Sequence, residues 1–173
     1  MITRERPTRL GPMPAKRLMT TVDERVVRAP LDRMFPIASD VDRWPKHLRH
    51  YRHVRLVERD PAGGGLVEMS ASRPFGVLNW PTWWVSEMEV RPLGGAVPPA
   101  IRFCHVQGIT TGMEVEWSFT PTSGGTHVRI VHEWNGPPWP VVGGVAATLV
   151  IGPIFIHGIA SRTLAGLAQA AER

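Results

Sequence analysis

The chain has 173 residues, with 20 Lys+Arg against 15 Asp+Glu, seven Trp, one Tyr and one Cys. A hydrophobic share of 43% with only 20% charged residues excludes a mostly disordered chain, and the length suits one domain with a real core. The lone Cys104 excludes an intramolecular disulfide or a cluster of several thiolates, and it is compatible with a cytoplasmic protein.

The formal charge of +5 is unevenly placed. Residues 1–17 hold Arg4, Arg6, Arg9, Lys16 and Arg17 against Glu5, so that segment carries +4 and the remainder only +1. The expectation is a flexible, basic, Pro/Arg-rich tail over 1–17 and a single domain over 18–173. No basic face with interleaved aromatics follows, so nucleic acid is not an expected partner. The start lacks the apolar run of a secretory leader.

In chain order, Leu18 to Ala29 is rich in β-branched residues and predicts a strand closed by Pro30. Leu31 to Ala38 reads as a short helix interrupted by Pro36. Ser39 or Asp40 caps a second short helix to about Tyr51, with Pro45 near its start, where proline is tolerated. From Arg52 the period becomes two: HVRLVERD, a turn PAGGG and LVEMSASR predict a hairpin. Strands follow over Trp80–Arg91, Ala100–Gln107, Gly112–Thr120 and Thr126–Trp134, and the chain ends in a helical region. Successive antiparallel strands with one terminal helix predict an α+β domain, the helix packed across a curved sheet.

Strand alternation assigns the faces. Trp80, Trp84, Ser86, Met88 and Val90 share the less charged face of their strand. Ile101, Phe103, His105 and Gln107 group together in the next. Met113, Val115, Trp117 and Phe119 form the third set, and Val128, Ile130, His132 and Trp134 the fourth. The inner surface is therefore rich in Trp and Met with a few polar groups, a composition that suits either a filled core or a cavity for a flat, mostly apolar ligand. His105 and His132 are candidates for a general base or a carbonyl anchor.

Other patterns carry less. His47, His50 and His53 are spaced H-x-x-H-x-x-H, but no carboxylate completes a coordination set, so no metal site is expected. Cys104 and Glu87 fall on the outer face by parity. Gly63–Gly65 lacks the following helix that a phosphate loop needs. Residues 141–160 carry no formal charge and are long enough to span a bilayer. Gly143, Gly144, Gly152 and Pro153 interrupt them, and a helix buried on most of its circumference reads equally apolar. They are read as buried, with peripheral membrane contact as a further expectation.

The run DVDRWPKHLRHYRHVRLVERD, the WWVSE motif at 83–87, the GGTHVRIVHEW strand and the SRT of the last helix together resemble the polyketide cyclase/aromatase group. That group belongs to the START-related SRPBCC superfamily, and the resemblance spans about residues 20–172. It implies a helix-grip fold, a curved sheet of about seven strands wrapped on a long C-terminal helix, with a pocket between them. In such proteins pocket groups fold a poly-β-ketone and promote aldol closure and dehydration. The resemblance places the family's pocket tryptophan at Trp44, its pocket tyrosine at Tyr51 and a later-strand tryptophan at Trp117. It departs from the family at Met88, where the aromatases keep an arginine, and at His105, where a second pocket arginine is replaced.

The expected function is binding of an aromatic or polyketide-like hydrophobic small molecule, with cyclisation or dehydration. The alternative is a non-catalytic carrier or sensor of a lipid, quinone or terpenoid. Tyr51, His105 and His132 are the candidate catalytic residues. Trp44, Trp80, Trp84, Ser86, Met88, Phe103, Gln107, Trp117, Trp134, Phe155 and His157 are the candidate ligand-binding residues. No cofactor or metal is expected, and a homodimer is one expected assembly state.

Overall fold

The computed structural model describes residues 10–75, 78–137 and 156–173. Seven strands form one antiparallel sheet in the order β1-β7-β6-β5-β4-β3-β2. They are β1 (Met19–Val27), β2 (Tyr51–Arg59), β3 (Gly64–Phe75), β4 (Leu78–Arg91), β5 (Ala100–Gly108), β6 (Glu114–Thr122) and β7 (Gly125–Trp134). Three α-helices accompany them among the described residues: α1 (Leu31–Ser39), α2 (Trp44–His47) and α3 (His157–Glu172). The strands β2 to β7 meander, each hairpin placing neighbours in sequence side by side. The helices between β1 and β2 carry the chain to the far edge, and β1 then pairs with the last strand.

The two short helices differ from expectation in instructive ways. Helix α1 runs through Pro36 without a break. Proline removes one i→i−4 hydrogen bond. Against that loss, α1 buries Met34, Phe35 and Ala38, and Phe35 meets Phe119 of β6 edge-on at 5.1 Å. The second helical stretch ends early, because Leu48 turns to extended backbone and Tyr51 already opens β2. Leu48 is buried there at 2% exposure, and its side chain lies so close to Gly166 of α3 that a Cβ on that glycine would be 2.4 Å from Leu48 Cδ2.

The β2–β3 turn is set by local chemistry. Ala62 N–H donates to the Asp60 side chain at 2.8 Å, and Gly63 N–H donates to the Asp60 carbonyl at 3.0 Å. Gly65 has φ +131°, and a Cβ there would sit 1.9 Å from the Glu58 carbonyl oxygen, so only glycine fits.

Inward residues alternate along the strands as expected, and they form one core with α1, α2 and α3. Helix α3 packs against β1, α1 and α2. One irregularity moves a candidate. Between β4 and β5 the pairing passes from Val85↔Gln107 to Ser86↔His105, leaving Val106 as an extra residue. A bulge of this kind reverses the facing of every residue beyond it.

The outer face of the sheet is not bare. Leu10 N–H donates to Glu89 at 2.7 Å, Arg102 donates to the Gly11 carbonyl at 2.6 Å, and Arg17 N–H donates to Glu133 at 3.3 Å. Arg102 is buried at 5% exposure beneath this segment and pairs with Glu114 at 3.0 Å.

Candidate functional site

A cavity lies between the inner face of the sheet and the first turns of α3. Its volume is about 60 Å³. Trp44, Tyr51, Trp84, Phe103 and Trp117 form its aromatic side, and His105, Thr110, His132 and Thr163 contribute polar groups. The side chains come from α2, from strands β2 to β7, from the β5–β6 loop and from α3, so only the closed tertiary structure assembles them.

The aromatic side is a continuous set of ring contacts. Trp44 meets Tyr51 at 5.5 Å and 66°, Trp117 at 5.6 Å and Phe103 at 6.3 Å. Tyr51 lies 6.2 Å from Trp84, and Trp84 stacks on His105 at 5.9 Å and 19°. These are the offset and edge-on geometries that aromatic quadrupoles favour. The Trp44 indole N–H donates to the Ala38 carbonyl at 3.1 Å, which holds the ring in one orientation from inside the core.

The polar side is built from imidazole–hydroxyl pairs. His105 Nδ1 is 2.7 Å from Thr110 Oγ1, and His132 Nδ1 is 3.2 Å from Thr21 Oγ1 on the neighbouring strand. His50 Nε2 is 3.1 Å from Thr163 Oγ1, and its ring lies 4.8 Å from that of Tyr51. Burial, helped by the nearby Arg162 charge, holds the His50 imidazole down at about 4, so it is neutral at pH 7.

The three candidate catalytic residues Tyr51, His105 and His132 do converge, and Trp44, Trp84, Phe103 and Trp117 stand beside them on the wall. Met88 and Ser86 are buried on the same inner face but set back from the cavity. The structure thus leaves Ser86 and Met88 out of the lining. Ser86 is fully buried and its hydroxyl has no partner among the described residues. The arginine-to-Met88 departure therefore falls on a core position here.

Three other candidates are placed elsewhere. Gln107 is exposed, because the bulge at Val106 pairs it with Val85, which alternates with the inward-facing Trp84 and Ser86. Trp134 is buried at 1% exposure, but its indole N–H is turned to the Thr111 carbonyl at 3.0 Å and it does not line the cavity. His157 opens α3 with its side chain 58% exposed and binds Asp23 of β1 at 2.6 Å. Burial pushes the Asp23 carboxyl up, partly countered by His157. Trp80 pairs with Arg73 through the β3–β4 backbone, but its side chain lies outside the described residues, as does all of Phe155 and of 141–155.

The three spaced histidines diverge. His47 is exposed at the end of α2, His50 reaches Thr163, and His53 meets Glu68 at 3.2 Å on the outer face. Among the described residues no group of three or more His, Cys, Asp or Glu could hold a metal ion. Cys104 lies on the outer face between Glu87 and Glu114 in the cross-strand register. Burial and those two carboxylates push its thiol up to about 12. A thiolate nucleophile is thereby disfavoured. No helix among the described residues is long and apolar enough to cross a membrane.

Reasoning from the sequence missed Thr110 and Thr163, whereas the apolar start of α3 lines the cavity as the apolar run before SRT implied. Thr110 sits in a loop, where strand parity says nothing. Ile156, Ile159, Ala160 and Thr163 follow the i, i+3, i+4, i+7 spacing of one helical face, a signal that was present in the chain.

Comparison with known proteins agrees with this architecture. Residues 27–152 match the family described as polyketide cyclase / dehydrase and lipid transport. A protein of Thermus thermophilus has the same fold, with a TM-score of 0.68, 21% identity, and coverage of 88% of this chain and 97% of that one. A START superfamily protein from Mycobacterium smegmatis matches with a TM-score of 0.60, 17% identity and 88% and 94% coverage. An aromatase/cyclase from Streptomyces sp. R1128 matches with a TM-score of 0.63, 16% identity and 90% and 94% coverage. These likenesses confirm the helix-grip expectation for the fold.

Proposed function

Because this chain belongs to the polyketide cyclase/dehydrase and lipid-transport family, we propose that it binds an aromatic or polyketide-like hydrophobic small molecule in the cavity under α3 and cyclises or dehydrates it. The observation that carries this reading is the meeting of Tyr51, His105 and His132 with three tryptophans in one cavity. Aromatic walls hold a flat ligand by dispersion and burial, and a few hydrogen-bonding groups fix its orientation.

In this reading His105 or His132 takes a proton from a carbon between two carbonyls of the bound chain. The resulting enolate carbon bonds to a ketone carbon further along. Tyr51 gives its phenol proton to the oxygen that gains charge there. Dehydration then expels that hydroxyl as water. The imidazolium returns its proton to the leaving oxygen and the phenolate takes the neighbouring C–H proton, so both groups end as they began. No electrons leave the substrate, and no metal or redox cofactor enters the proposal.

Residues 18–173 are the ligand-binding domain in this account, the protein is cytoplasmic, and the basic segment 1–17 gives it peripheral contact with an anionic membrane. A second reading, a carrier of a lipid, quinone or terpenoid, is favoured by one observation. The wall is mostly apolar, and the position of the family's arginine holds Met88 in the core.

Native mass spectrometry of the purified protein separates the two. A retained prenyl or acyl lipid, unaffected by Tyr51→Phe or His105→Ala, supports the carrier and overturns the enzyme. Loss of poly-β-ketone cyclisation in those variants, with ligand retention preserved, supports the enzyme.

A further inference from the structure

The three imidazole–hydroxyl pairs share a design. Each joins a histidine to a threonine, at 2.7, 3.2 and 3.1 Å, and each contributes at least one side chain to the cavity wall. With Tyr51 and the indole N–H groups they supply the hydrogen-bonding groups of the described wall, and the Trp44 N–H is already engaged by the Ala38 carbonyl. No carboxylate, ammonium or guanidinium lines it among the described residues. Residues 138–155, which lie outside the described residues, contain no Asp, Glu, Lys, Arg or His in the sequence.

Two of the pairs contain the histidines of the proposed reaction. The third, His50 with Thr163, is unused by it. Thr163 is 1% exposed and stands on the cavity face of α3, while His50 approaches it from the chain just before β2. A hydroxyl offers one donor and two acceptor sites, so bonding to one imidazole leaves capacity for a second oxygen. A neutral imidazole presents one N–H and one lone pair, so the Thr163 hydroxyl can point either way along the bond. It can therefore donate to a ketone or accept from a hydroxyl. An ionic ligand group is served far worse, because no cation lines the described wall to offset the lost hydration of a buried carboxylate.

We infer that this cavity selects an uncharged ligand bearing a hydroxyl or ketone oxygen, and that Thr163, held by His50, is the specificity-determining residue that takes that oxygen. The inference rests on the reading that the cavity binds an aromatic ligand, and it adds the charge class and the residue that senses it. The cavity of about 60 Å³ is smaller than the roughly 150 Å³ that accepts a benzene ring in an engineered core. A one-ring probe already requires the wall to give, so small probes test selection most directly.

The experiment titrates the full chain with phenol, toluene and sodium benzoate at neutral pH by calorimetry, with tryptophan emission as a second readout. Phenol and toluene differ by a hydroxyl against a methyl, and benzoate adds the charge. Phenol is expected to bind more tightly than toluene, and benzoate is expected not to bind at concentrations that saturate with phenol. Thr163→Val should weaken phenol about fivefold, the ratio for about 1 kcal/mol, and leave toluene unchanged. Thr163→Ser, which keeps the hydroxyl, should retain the phenol preference, and His50→Gln serves if the valine variant does not fold, again weakening phenol more than toluene. Saturation by benzoate in the phenol range, equal affinity for phenol and toluene, or equal loss of both in Thr163→Val would each overturn the inference while leaving aromatic binding intact. If none of the three ligands binds, the aromatic-ligand reading fails and takes this inference with it.

Discussion

Acid should loosen this protein through His50. The ring is half-buried, bonded to Thr163 of α3, and held near 4 rather than 6.5 by burial first and by Arg162 second. A group whose pKa is lowered in the folded state adds stability that is present above its unfolded value and is lost as pH falls toward the folded one. Here that window runs from about 6.5 down to about 4. The full gap corresponds to about 3 kcal/mol at about 1.4 kcal/mol per pKa unit, and partial solvent access reduces it. Between pH 7 and pH 5 the expected loss is about 1 to 2 kcal/mol. Asp23 acts in the opposite sense. Its pKa is raised by burial, so its contribution is present at low pH and is lost as pH rises. Glu68, lowered by its hydrogen bond to Arg55 and exposed on the outer face, acts only below its usual carboxylate range. Urea unfolding at pH 7 and pH 5, on wild type, His50→Gln and Asp23→Asn, separates these contributions. His50→Gln should lose less stability between the two pH values than wild type by about 1 to 2 kcal/mol, whereas Asp23→Asn should lose more than wild type. Equal losses in wild type and His50→Gln would refute the reasoning, because the slope would then come from other groups.

Three further outcomes follow from single observations. Ser86→Ala removes a buried hydroxyl that has no partner among the described residues, so it should be neutral or stabilising by up to about 1 kcal/mol in urea; a loss beyond that would reveal an internal partner. Gly65→Ala forces a side chain into the Glu58 carbonyl at φ +131° and should cost more than about 2 kcal/mol, read by thermal melting. Cys104 should react with a thiol reagent much more slowly than free cysteine at pH 8, because its thiol is pushed up to about 12; fast labelling of the folded protein would contradict the placement between Glu87 and Glu114.

Strand positions and their inward faces were legible in the sequence because the alternation of side chains is a local property of extended backbone. The Val85↔Gln107 to Ser86↔His105 bulge was not, since an extra residue exists only relative to a partner strand, and it turned Gln107 from an inner to an outer position. Trp44, Tyr51 and Trp117 were found through a family resemblance carried by motifs, and they meet through ring contacts of 5.5 and 5.6 Å. Pro36 predicted an interruption from propensity alone, but burial of Phe35 and Ala38 against the sheet outweighs one missing hydrogen bond.

What the amino-acid order determined by itself was therefore the set of strands, their facing, the helical end and the family, all consequences of local periodicity and motif. Only tertiary structure decided which inward groups share a cavity and which fill the core. Met88 and Ser86 face inward just as Trp84 does, yet they pack away from the cavity, while Thr110 reaches it from a loop and Thr163 from the far end of the chain. Facing is a property of one strand, whereas a cavity wall depends on the packing of several elements against one another. The pairs His105–Thr110, His132–Thr21 and His50–Thr163 exist only once those elements have closed.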